Sequence, residues 1–467
     1  MAFSSIEFLY CFLPVTLLLY VLAPRRLKNT VLLIMSVVFY YYGERQYTLL
    51  LIISSLSDWF WSLMIEGCRG TKKAKVFLIF SIVINLSLLG FFKYADFFIS
   101  SFNAVFGTAL PLTHVPLPIG ISFFTFQTMS YTIDVYRGEA KAQRNLLNMA
   151  TYVCLFPQLV AGPIVRYTDL AAELESRTVS VDDISDGLRQ FAVGLGKKML
   201  LANAMGELCS AFRSTATPSV ALCWIAALAY MLQVYLDFSA YSDMAIGLGR
   251  MFGFHFPINF HYPFLSRSIS EFWQRWHITL GSWFRDYVYI PLGGNRTTRA
   301  RQIRNLAVVW LLTGLWHGAA WNFVLWGVYF GVLISLEKLC FVRILERCTA
   351  VVRHIYVLLT VLLSFVIFGA DGLGGLITDF GRLFGFGALP LWNAETAYLA
   401  ESYAVSILLC AFASLPFAHQ LWEKAHNSKV GTRILVIAEP LCIAALLLIS
   451  TAHLVDGSFN PFLYFRF

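Results

Sequence analysis

Apolar stretches of membrane-crossing length recur along the chain, separated by short polar loops. The first, residues 8–23, runs into Pro24-Arg25-Arg26 with no basic leader and no small-residue cleavage pattern, so it reads as a retained span and not as a cleaved signal peptide. Further spans are predicted at residues 30–42, 48–65, 76–92, 188–209, 221–236, 305–316, 319–336, 355–368, 405–417 and 434–453. The expected fold is all-α: a polytopic membrane protein of about 11 transmembrane helices. Loop charge alternates. Arg25, Arg26 and Lys28 follow the first span, Glu44 and Arg45 cancel after the second, and Arg69, Lys72, Lys73 and Lys75 follow the third. Because Lys and Arg collect in cytoplasmic loops, the N-terminus is expected outside and both basic loops inside.

Two apolar runs are interrupted. Pro116, Pro118 and Gly120 break residues 116–133, and Pro157, Gly162 and Pro163 break residues 149–165. Broken backbone survives at membrane depth only where protein or a water-filled cavity covers the freed polar groups. These runs are therefore expected to be kinked spans or the lining of a central cavity. Residues 173–186 are polar and acidic and are expected to form an extramembrane loop. No repeat or linker marks a second soluble domain. The expectation is one membrane domain over residues 1–467, with N-terminal spans (1–110), a core (111–340) and C-terminal spans (341–467).

Composition supports this reading. The 467 residues are 58% hydrophobic and 13% charged, with a mean hydropathy of +0.66. A soluble chain carries about 25% charged residues, so a secreted enzyme, a disordered scaffold and a soluble Rossmann-type domain are excluded. The net charge of +8 reflects loop anchors against membrane lipid, and no nucleic-acid partner is implied. Nine cysteines lie mostly inside apolar runs, and none are paired at a two-residue gap, so neither a disulfide framework nor a metal site is indicated.

Two of the nine histidines have unusual surroundings. His277 lies in Glu271-Phe272-Trp273-Gln274-Arg275-Trp276-His277-Ile278. On a continuous helix turning about 100° per residue, Trp273, Trp276, Leu280, Trp283, Phe284 and Tyr287 would share one face with His277, a segment suited to the membrane interface or a cavity mouth. Between Arg267 and Arg304 there are seven Arg and two acidic residues. They serve as a cytoplasmic anchor, or Arg275, Arg285 and their neighbours bind the phosphates of a nucleotide-containing donor. His317, in Gly314-Leu315-Trp316-His317-Gly318-Ala319-Ala320-Trp321-Asn322, lies about 18 Å along a helix starting near Asn305, at 1.5 Å per residue. An imidazole that deep is costly unless it faces a cavity or a partner, and the small residues around it permit close approach of a helix or ligand. Asp237 and Asp243 end another apolar run. They either orient a histidine or bind substrate hydroxyls, or they satisfy helix ends and neighbouring Arg.

Trp316-His317-Gly318, with Trp276-His277 some 40 positions earlier, resembles the membrane-bound O-acyltransferase family. So do Pro116-Leu117-Pro118-Ile119-Gly120, Phe156-Pro157-Gln158-Leu159, Asp237-Phe238-Ser239, Phe284-Arg285-Asp286-Tyr287 and Asn460-Pro461-Phe462. The motifs are most similar to the branch that O-acetylates exported polysaccharides such as alginate. The resemblance implies spans and re-entrant or interfacial helices around a central tunnel. It implies a multi-pass protein of the bacterial inner membrane, with no bound cofactor and with acetyl-CoA as cytoplasmic donor. A periplasmic or extracellular acetyltransferase, or the polysaccharide itself, would be the acceptor. His317 and His277 carry over as the catalytic pair, with Trp276, Trp316, Asn322, Asp237, Arg275 and Arg285 as substrate-binding candidates. In the expected chemistry His317 is the general base, and His277 orients the donor or donates to the developing oxyanion; direct acylation of His317 is the variant. Three other readings stay open: D-alanyl transfer to teichoic acid, O-acetylation of peptidoglycan or cellulose, and non-catalytic transport of an acyl carrier or polymer.

Overall fold

The computed structural model describes residues 1–456, among which there are helices and no strands. The Asn460-Pro461-Phe462 motif lies outside the described residues. Among the described residues, seven helices are long and apolar enough to cross a membrane: Tyr47–Gly67, Lys72–Phe106, Val220–Met251, Trp321–Leu339, Ala350–Gly369, Ala394–Ala413 and Lys429–Val455. Each coincides with an expected span, although the one expected at 405–417 begins earlier, where Asn393 caps Thr396 N–H at 2.8 Å. The other four expected spans are helical but shorter or more polar. Phe8–Leu22 is a short apolar helix, and Lys28–Glu44 has 17 residues. Residues 188–209 fall in a helical run that passes through a π-turn at Lys197–Ala202. Arg299–His317 opens on a strongly basic turn.

Residues 173–186 depart from expectation. They are largely helical, in Tyr167–Glu175 and in the start of Val181–Gly196. Their charge does not signal a loop because Asp183 and Asp186 pair with Arg250 at 3.7 and 2.6 Å along a polar helix face.

The chain forms two compact units. The first, residues 1–191 with 244–258, is organised by phenylalanines: Phe3, Phe8, Phe12, Phe39 and Phe156 stack with ring centroids 5.0–6.5 Å apart. Arg177 ties this unit together. It donates to Tyr20 Oη, the Phe252 carbonyl and Asn29 Oδ1 at 3.0, 2.8 and 2.7 Å. Within the apolar spans, Asp58 is fully buried and accepts from Asn85 and Ser81 at 2.8–3.0 Å. The two interrupted runs pack on each other. Gly120 takes φ +80°, and a Cβ there would fall 2.6 Å from the Leu159 carbonyl oxygen. Protein covers their freed backbone groups, since Gln127 and Gln158 both donate to the Tyr152 carbonyl.

The second unit, residues 192–243 with 259 onward, holds both histidines singled out in the sequence. Its centre is the antiparallel hairpin of Arg299–His317 and Trp321–Leu336. The helices meet at glycine. A Cβ on Gly314 would lie 3.2 Å from Gly327 Cα and collide with the Phe323 carbonyl oxygen, and a Cβ on Gly327 would collide with that of Trp310. The small-residue pattern around position 314 thus serves helix contact. The contact lets Trp310, Trp326 and Phe330 interlock with Trp273 at 4.7–6.2 Å between rings.

Overpacking a tight contact of this kind costs roughly 1–3 kcal/mol. Gly314→Ala is therefore expected to lower the thermal unfolding midpoint in detergent. Gly90→Ala, at a position with no neighbour within 4 Å and ordinary helical φ, is expected to leave it unchanged.

Candidate active site

The helix expected to carry His277 on an aromatic face is not continuous. It stops at Arg275, His277 takes φ +44° and ψ +52°, and a new helix begins at Ile278. Two anchors make this break. Glu337, fully buried, accepts from Ile269 N–H and Ser270 N–H at 2.6 and 2.9 Å and so holds the start of the first helix. Asn259 accepts Ile278 N–H on its carbonyl oxygen at 2.9 Å and holds the start of the second. The outcome is still burial among rings. His277 is 1% exposed, with Phe238 at 4.8 Å, Trp316 at 5.8 Å and Phe260 at 6.4 Å between centroids.

His277 lies outside the membrane-crossing helices, and burial pulls its imidazole far below the usual range, to about 3. Its Nε2 atom is buried with no hydrogen-bond partner in the protein. The same holds for Trp326 Nε1, whose ring stands 4.9 Å from His317. Buried polar atoms are nearly always satisfied; each histidine environment thus holds one atom free to bond a ligand, as do other parts of the chain, Thr48 Oγ1 and Gln158 Oε1 among them.

His317 is the last residue of its helix, and the chain then leaves through extended Gly318. Its ring meets Trp316 at 5.1 Å and Phe368 at 5.3 Å. Trp316 therefore touches both imidazoles. Phe368 also borders a cleft of about 740 Å³, lined by Ala320, Asn322 and Phe323 beyond the histidine and by Arg213, Asp371, Asp379 and Arg382 farther out. The cleft comes within one aromatic ring of His317. Its lining residues Ala320, Asn322 and Phe323 follow the His317 end of the Arg299–His317 helix, ~27 Å from the basic start at 1.5 Å per residue.

The other sequence candidates divide. Trp276 packs on Phe260 and Phe272 at 5.1 and 5.5 Å, beside the His277 turn. Asn322 donates to the Phe368 carbonyl at 3.0 Å and faces the cleft. Asp237 stays out of the ring cluster: it forms an ion pair with Lys198 at 2.7 Å, both side chains 2% exposed. The neighbouring pair, Lys197 with Asp243, follows from the π-turn, which turns two consecutive lysines toward the long helix. Arg275 and Arg285 are paired with Glu271 and Asp286 at 3.0 and 2.6 Å. Their charge is thus largely balanced locally, which weakens both as phosphate ligands. Sequence reasoning missed Asn259, Trp326 and Phe368. Nothing local distinguishes an Asn in Pro257-Ile258-Asn259-Phe260, and the two aromatics read as ordinary core.

The family model described as MBOAT, membrane-bound O-acyltransferase family, matches residues 39–376, and the chain belongs to this family. It is a membrane-bound acyltransferase. It is similar along its whole length to the Azotobacter vinelandii protein named "Probable alginate O-acetylase AlgI", at 37% identity with all of both chains covered. The protein of that name from Pseudomonas aeruginosa is 41% identical over 89% of this chain and 81% of its own. A Helicobacter pylori protein named "Peptidoglycan O-acetyltransferase" is 34% identical over 72% of this chain and 70% of its own.

Removing one member of a buried ion pair costs about 3–5 kcal/mol, whereas apolar replacement of both is often neutral. Lys198→Met is expected to destabilise the protein by that order, and Lys198→Met with Asp237→Leu to recover most of the loss. Denaturant titration of the reconstituted variants measures both.

Proposed function

We propose that this protein O-acetylates an exported polysaccharide, with alginate as the polymer, and draws acetyl groups from acetyl-CoA on the cytoplasmic side of the bacterial inner membrane. The observation that carries the reading is His317 at a helix end, one aromatic ring from a cleft and a helix length away from the basic turn that opens the same helix. Such a position is where a thioester from one compartment and a hydroxyl from the other can meet. The names borne by relatives that match most of the chain agree with acetyl transfer to alginate.

In the proposed reaction a hydroxyl oxygen entering through the cleft attacks the thioester carbonyl. An alcohol is a weak nucleophile at neutral pH, so the His317 imidazole takes its proton as the C–O bond forms. The tetrahedral intermediate then expels the thiolate. The C–S bond breaks, the imidazolium returns the proton to sulfur, and an O-acetyl ester and free CoA leave. The hydroxyl belongs either to the polysaccharide or to a partner acetyltransferase outside the membrane that carries the group onward. Arg213 and Arg382, on the cleft wall, suit the carboxylates of an acidic polymer.

General-base catalysis contributes about 10²–10⁴-fold in rate. In proteoliposomes loaded with labelled acetyl-CoA and given external acceptor, His317→Ala is expected to lose at least about a hundredfold in ester formation. Transport of label across the bilayer without ester or free CoA would instead identify a transporter. Arg213→Gln with Arg382→Gln is expected to raise KM for an anionic acceptor by roughly tenfold while KM for acetyl-CoA stays constant; steady-state kinetics in each substrate separates the two.

A further inference from the structure

Asn259 touches the His277 turn with its side-chain oxygen and with its backbone carbonyl. The side-chain oxygen lies 3.3 Å from Thr279 N, 2.9 Å from Thr279 Oγ1 and 3.1 Å from His277 Nδ1. A backbone N–H can only donate, so the atom facing Thr279 is the amide oxygen. The amide nitrogen accordingly points the other way, 3.1 Å from Ser242 Oγ. An amide oxygen carries no hydrogen, so the proton in its contact with His277 must sit on Nδ1. The ring is neutral, because burial disfavours its charged form. The other nitrogen, Nε2, is therefore a bare lone pair, buried and unpartnered.

We infer that Asn259 is a positioning residue for acyl transfer, fixing His277 as the Nδ1–H tautomer so that Nε2 accepts a hydrogen bond from substrate. Such a ring accepts and does not donate, which reverses the oxyanion-donor role expected from the sequence. The group it receives must bring its own hydrogen: an amide N–H on the donor's thioester arm, or the acceptor's O–H. Asn259 also explains the left-handed backbone at His277, since its carbonyl and side-chain oxygens clamp the two residues that follow.

Among the described residues no free charge competes for the ring. On the long helix Asp237 and Asp243 are held by Lys198 and Lys197. On the preceding segment Arg275 is held by Glu271, with His261 Nδ1 3.5 Å from its guanidinium. His317 stands on the far side of Trp316. Only the acyl-transfer role rests on the function proposed above; the tautomer is a property of the resting protein.

Ring-¹⁵N histidine NMR of the full chain in lipid nanodiscs tests the tautomer without turnover, with His277→Gln used to assign the signals. The expected spectrum shows a protonated Nδ1 and a bare Nε2 at neutral pH; a protonated Nε2 overturns the inference. Asn259→Asp keeps the shape and places an anion beside Nδ1–H. This stabilises the imidazolium, so ring protonation is expected to set in at least one pH unit higher than in the native protein. KM should also rise for the substrate that lends the hydrogen: acetyl-CoA if an amide, the acceptor if a hydroxyl. An unshifted titration with both KM values unchanged would remove Asn259 from this role. The native spectrum decides the tautomer even where the Asp variant fails to fold.

Discussion

Two glycines, Gly314 and Gly327, allow the helices of the central hairpin to approach until backbone meets backbone. In lipid no hydrophobic force drives helices together, so close packing and polar contact must hold them. With any larger residue at either position, the Trp310–Trp326–Phe330 interlock would open. His317 would then lose the ring at 4.9 Å and the turn that fixes its direction. The site's geometry is thus set by how closely two backbones approach, and the imidazole inherits its placement from that contact.

The buried polar groups obey a stricter economy than a soluble protein requires. Asp58 is surrounded by neutral donors, Asp237 by a lysine, Glu337 by two backbone N–H groups and a serine hydroxyl. Each is satisfied inside the protein, as low-dielectric surroundings demand. His277 Nε2 and Trp326 Nε1 lack such a partner, as do buried atoms elsewhere in the chain, Thr48 Oγ1 and Gln158 Oε1 among them.

The spans were legible because length and apolarity alone specify a membrane helix, and His317 was legible because an imidazole in an apolar run is expensive. The break at His277 was not. A helical projection of residues 271–287 looks convincing, yet tertiary bonds from Glu337 and Asn259 outcompete local periodicity. The same failure of local reasoning read residues 173–186 as loop where they are largely helical, with Asp183 and Asp186 answered by Arg250, 64 positions beyond Asp186 in the chain. For Asp237 the sequence offered substrate binding or pairing with a neighbouring Arg, and the partner is a lysine. Its partner Lys198 is turned to it by a π-turn that composition does not announce. In each case the missing information was a contact between distant segments.

The left-handed conformation at His277 carries a further consequence. A side-chain-bearing residue there works against its own backbone by about 1–2 kcal/mol, a penalty that glycine alone escapes. Glycine would relieve the backbone but empty the space that Phe238, Phe260 and Trp316 form around the ring, so packing holds the imidazole in a conformation its backbone resists. Position 277 is where backbone preference and side-chain packing pull in opposite directions.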